Sequence, residues 1–171
     1  MQRAFTPLRH GILRLVVVAA LAATGAGAAG AAPLDDAFAA YGRKDYAAAM
    51  ALARPLADSG DGWAAYLVGR MTDLGEGVIY DDVAAMQWYL KAAAKGVPEA
   101  QLAAARLYEM GESILQDFPA AWAWAAVAAD QGLDEAAKYR DHIKQFLIGQ
   151  DANAARANYE NWSAFRTTER R

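Results

Sequence analysis

The chain has 171 residues, 22% of them charged and 56% hydrophobic in the broad count, with no cysteine. That composition suits one globular domain and excludes a disulfide scaffold and a lipid-anchored lipoprotein. The formal net charge is −3; beyond position 31, 14 basic residues face 20 acidic ones, a net of about −6, which is a poor match for nucleic acid or an anionic lipid surface.

The chain opens on Arg3, Arg9 and Arg14, then an apolar run from Leu15 to about Ala23, then small residues. This is the layout of a secretory signal. The run is about a dozen residues and Gly25, Gly27 and Gly30 follow it, whereas a membrane span needs about twenty. A signal over 1–31 is therefore expected, with cleavage after Ala31 or, in competition, after Ala28. No stable membrane anchor is expected after cleavage, and the product is expected to be periplasmic or secreted.

Beyond the signal the sequence repeats. Residues 64–99 align without a gap on 100–135 at a shift of 36, with about a dozen identities. Among them are Ala64 with Ala100, Arg70 with Arg106, Gly75 with Gly111, Glu76 with Glu112, Asp81 with Asp117, Trp88 with Trp124 and Gly96 with Gly132. The same shift carries Asp45, Ala48, Ala49, Ala57 and Gly60 onto Asp81, Ala84, Ala85, Ala93 and Gly96. Three units follow, at about 34–60, 63–96 and 98–132, each a helix pair: 34–42 with 45–58, 63–74 with 82–95, and 98–110 with 118–131. A helix over 134–148 and a last one from Asp151 complete the reading. Units of this kind stack by burying each apolar face on the next. The expected fold is all-α: a right-handed α-solenoid over 32–148, with a C-terminal helix and tail over 149–171 that caps it.

Each repeated residue has a mechanical reason. Asp45, Asp81 and Asp117 stand where an N-cap carboxylate takes first-turn amides. Gly60, Gly96 and Gly132 follow second helices, where a left-handed cap is expected. Gly75 and Gly77, and Gly111 in the next unit, let the loop inside a unit take positive φ. Ala84, Ala85, Ala92 and Ala93 permit close helix contact, while Trp88 and Trp124 fill the wider gaps. Trp63 and Trp122 are the other large candidates.

The stretch from Ala64 to Ala100 resembles a Sel1-like repeat, itself similar to tetratricopeptide units. The pattern falls on Ala64, Val68-Gly69, Gly75, Gly77, Val78, Asp81, Ala85, Trp88, Tyr89, Lys91, Ala92, Ala93 and Gly96. The next unit departs at Ala105 for Gly, Ser113 for the second loop glycine and Ala125 for Tyr. The unit before it is closer to a tetratricopeptide hairpin. The resemblance implies an adaptor: a protein that binds a protein or peptide of the bacterial envelope, without catalysis, cofactor or metal.

The residues themselves offer little chemistry. Beyond the signal there is one histidine, His142, best read as a solvated helix residue, and Ser59, Ser113 and Ser163 have no base nearby in sequence. A cell-wall hydrolase or β-lactamase-like enzyme is the alternative, and no S-x-x-K nucleophile motif speaks for it. A structural accessory docking through its C-terminal helices is another. For binding, the first helices line the concave side of such arrays, and Tyr66, Arg70, Asp73, Gln101, Arg106 and Glu109 are expected there. The bland reading of the same residues is a pair of surface ion pairs, Arg70 with Asp73 and Arg106 with Glu109.

Overall fold

The structure, a computed structural model, describes residues 31–165. Apart from Ala31, the expected signal lies outside the described residues, as do 166–171. The described residues form α1 (Ala31–Gly42), α2 (Tyr46–Asp58), α3 (Gly62–Leu74), α4 (Asp82–Ala94), α5 (Pro98–Met110), α6 (Phe118–Ala129), α7 (Asp134–Ile143) and α8 (Asp151–Trp162). Two 3-10 turns follow α7 and α8, at Lys144–Phe146 and Ser163–Phe165. From α1 to α7 each helix packs on the next, and α8 turns back onto α6. The result is an α-solenoid of helix hairpins, with α7 in the place of the first helix of a fourth unit.

The repeated residues start and stop the helices as expected. The carboxylates of Asp45, Asp81 and Asp117 accept from the amides of Ala48, Ala84 and Ala120 at 3.1, 2.8 and 2.8 Å. Asp61 does the same for α3, accepting from Ala64 at 2.8 Å. All three units close identically: the amides of Gly60, Gly96 and Gly132 donate to Ala57, Ala93 and Ala129, and the next amides donate to Leu56, Ala92 and Ala128. That crossed pair of bonds is the Schellman cap, which needs the left-handed φ these glycines have.

The loop inside a unit differs between the first unit and the others. Three residues join α1 to α2, with Lys44 at φ 62°, while 75–81 and 111–117 join the later pairs. Both long loops are tied at their ends, Asp81 N–H to Thr72 O and Asp117 N–H to Tyr108 O. Glu76 reaches back from its loop to the first unit, where Tyr41 and Tyr46 donate their hydroxyls to its carboxylate at 2.5 and 2.9 Å. Burial and then this hydrogen bond push the Tyr41 phenol up to about 12.

Packing explains two of the departures from the repeat pattern. Gly69 lies against Tyr89: a Cβ there would stand 2.9 Å from the ring and 3.1 Å from the Trp88 Cβ. At the equivalent positions of the next unit Ala105 faces no such ring, because Ala125 stands where Tyr89 does, and both are fully buried. The Gly→Ala and Tyr→Ala departures therefore compensate each other. Gly69→Ala alone should cost about 1–3 kcal/mol through overpacking. Combined with Tyr89→Ala it should cost less than the two single changes added together, a coupling that urea denaturation of the four forms measures.

The helix expected over 134–148 ends early. Ile143 is fully buried, the chain tightens into a 3-10 turn, and Phe146 stacks on Phe118 with ring centroids 5.0 Å apart. Continuing the helix would carry Phe146 off that contact and α8 away from α6. Through α8, Trp162 stacks on Trp124 at 4.5 Å, and Phe165 lies 6.2 Å from the same ring. Its counterpart Trp88 is instead flanked by the Lys91 ammonium at 3.9 Å and the Arg54 guanidinium at 4.9 Å.

Candidate functional site

A groove of about 450 Å³ runs along α3, α5 and the start of α7, the first helices of successive units. Its lining includes four of the six expected residues, Tyr66, Arg70, Asp73 and Arg106, together with buried Leu102 and Leu107 and exposed Leu74 and Met110. Spacing within a first helix explains this: Tyr66, Arg70 and Asp73 recur at i, i+4 and i+7, one helix face.

Neither of the surface ion pairs set against the binding reading forms. Asp73 accepts the Tyr89 hydroxyl at 3.0 Å, and Glu109 accepts that of Tyr139 while lying 3.2 Å from His142 Nε2. Tyr139 thus does for Glu109 what Tyr89 does for Asp73, because Ala125 has no hydroxyl to offer. Burial, followed by these carboxylate contacts, drives both phenols well above the ordinary tyrosine range, so they stay protonated donors. Burial raises the Asp73 carboxyl, the Tyr89 hydrogen bond opposes that, and the Asp82 charge adds to it.

Gln101 does not belong to this surface. It is fully buried, its amide nitrogen donating to Ala93 O at 3.2 Å and Phe165 O at 3.1 Å and its oxygen accepting from Gln131 at 2.6 Å. The shift of 36 places Gln101 on Ala65, an inward position, and places Leu102 on Tyr66. Aligned that way, the repeat itself points to Leu102 as the groove residue. Glu109 likewise stays off the groove lining, held by Tyr139 and His142.

Two charged groove residues fall outside the expected set, Glu99 and Glu135, and they are equivalent at the shift of 36. Glu135 accepts from Arg106 at 2.5 Å, and that guanidinium lies 5.6 Å from the Tyr139 ring. The preceding step of the array is open. Arg70 lies over the Tyr41 ring at 5.2 Å and makes no ion pair among the described residues, while one carboxylate oxygen of Glu99 is buried without a hydrogen-bond partner.

The model of the Sel1 repeat family matches residues 64–97 and 98–133. Residues 64–133 are thus two Sel1 repeats. The structure is similar to that of a Sel1 repeat protein from Oxalobacter formigenes, with a TM-score of 0.63 and 27% identity over 76% of this chain and 57% of that one. It is similar in fold to c5321, a protective antigen present in uropathogenic Escherichia coli strains displaying an SLR fold, with a TM-score of 0.75 and 21% identity. That match covers 80% of this chain and 30% of the other, so this chain spans less than two thirds of either neighbour. No curated protein matches it. Sel1 repeats in general mediate contacts between proteins, and Sel1 repeat proteins are generally non-enzymatic scaffolds.

Proposed function

We propose that this chain is an exported, non-catalytic adaptor that takes a peptide segment of a bacterial envelope protein into the groove between α3, α5 and α7. One observation carries the reading: the first helices of three successive units combine into a single groove lined by apolar and charged side chains. An extended segment lying there buries apolar side chains and meets both signs of charge. Export rests on Arg3, Arg9 and Arg14 ahead of the short apolar run. The face of α8 that carries Trp162 is turned onto α6, which takes support from the alternative of docking through the C-terminal helices.

The test uses the tagged full chain expressed in a bacterial host. Cell fractionation should recover a shortened product outside the cytoplasm; a full-length cytoplasmic product would overturn export. Affinity capture from envelope extract should then yield a partner that is lost when Ala103→Trp fills the groove and when Arg70→Glu/Arg106→Glu reverses its charge. Capture that is unchanged in both variants would remove the groove from the function.

A further inference from the structure

Arg106 with Glu135 and Arg70 with Glu99 are equivalent positions, an arginine on one first helix and a glutamate at the start of the next, in two successive steps of the array. Sequence and position give both steps the same opportunity, and the structure uses it once. Arg106 and Glu135 meet at 2.5 Å. Arg70 instead turns to the Tyr41 ring at 5.2 Å, and Glu99, in the first turn of α5 where the helix terminus favours negative charge, keeps an unpartnered buried oxygen. The Tyr41 face holds the Arg70 guanidinium and the Tyr66 hydroxyl lies within hydrogen-bonding reach of it, which leaves others of its five N–H donors for an incoming acceptor. A covered carboxylate oxygen without a donor is an unfavourable arrangement, which Glu99 relieves by turning its carboxylate toward an incoming donor. Tyr66 and Leu102, at equivalent positions, line the same groove beside the two groups.

We infer that the open Arg70–Glu99 pair is the recognition point of the groove, and that it selects a dipolar peptide segment: an acidic side chain bound by Arg70, a basic side chain bound by Glu99, and an apolar residue between them resting on Leu102 and Tyr66. The ligand completes across the first step the ion pairing that Glu135 completes within the chain at the second. This inference rests on the groove reading of the function and adds to it the chemistry of the partner.

The probes are three blocked, fluorescently labelled synthetic peptides: one with glutamate, leucine and lysine in its centre, one with glutamine in place of the glutamate, and one with methionine in place of the lysine. Fluorescence anisotropy with the full chain should show the dipolar peptide binding about tenfold more tightly than either neutralised form, as expected for charge-assisted bonds in a partly shielded groove. Arg70→Met should abolish the preference for glutamate and keep that for lysine; Glu99→Gln should do the reverse. Arg54→Met/Asp58→Asn, which removes an exposed ion pair of α2 away from the groove, should leave both preferences in place. Circular dichroism confirms that each variant is folded. If all three peptides bind equally and Ala103→Trp still blocks them, the groove stands and the dipolar inference falls. If Ala103→Trp leaves binding unchanged, the groove reading falls with it. No binding of any of the three at millimolar concentration also overturns the inference.

Discussion

Gly77→Ala is expected to cost about 3 kcal/mol of stability, measured as a fall in the urea midpoint at unchanged slope. Two effects add. Gly77 sits at φ +76°, where a side chain costs about 1–2 kcal/mol, and a Cβ there would stand 2.6 Å from the Tyr46 Cβ. Neither the backbone of the loop nor the first turn of α2 yields easily, so the clash pushes the loop off the preceding unit. Glu76 would then draw away from Tyr41 and Tyr46, the two hydroxyls that join the first unit to the second. Gly132→Ala is the matched control: its φ of +89° is as strained, but nothing lies within 4 Å of the added atom. That variant should lose only about 1 kcal/mol. Equal losses in the two variants would refute the contact with Tyr46 as the cause.

Trp124→Ala should be the most damaging single change in the array, at about 3–5 kcal/mol. The ring is buried to 4% exposure and stacked on Trp162, and its removal both empties the third unit and unseats α8. Limited proteolysis should report the second effect separately, as faster cleavage around Gly149 in Trp124→Ala than in Trp88→Ala, where cations and not α8 cover the ring. Indistinguishable cleavage in the two variants would show that α8 is held by other contacts. The same packing changes how a C-terminal deletion is read. Removing 151–171 exposes Trp124, so a loss of partner capture after that deletion reports an opened fold. Substitutions on the outer side of α8, at exposed Asn153, Arg156 or Glu160, test docking through this helix without disturbing the cap.

The array itself was legible because its signals are local. Asp45, Asp81 and Asp117 cap the helices that follow them within three residues, and Gly60, Gly96 and Gly132 end the preceding ones within a turn. The groove was legible in part, since Tyr66, Arg70 and Asp73 share one face of α3. Gln101 was misplaced because it was paired with Tyr66 by character, whereas the repeat pairs it with Ala65, and an amide at an inward position is accepted only because Ala93, Gln131 and Phe165 satisfy it. Ser113 is a different case. It replaces the second loop glycine, yet Lys44 is the only non-glycine with positive φ among the described residues, so the third unit's loop takes another course at that point.

From its own residues, then, the chain determined its helices, their caps, the repeat of 36 and hence the solenoid, because all of these follow from contacts within a few residues or from one register applied throughout. What only the tertiary structure decided is which equivalent positions are used alike. Ala105 can replace Gly69 because Ala125 replaces Tyr89; Glu109 takes its hydroxyl from Tyr139 on α7, two helices on; Arg106 closes on Glu135 while Arg70 turns to Tyr41. Each choice depends on a partner more than fifteen residues away, and a repeat presents both alternatives in the same words. The energies that separate them, a ring contact, a hydrogen bond, an exposed ion pair, are each about 1 kcal/mol, and which one prevails is set by the neighbours that packing supplies.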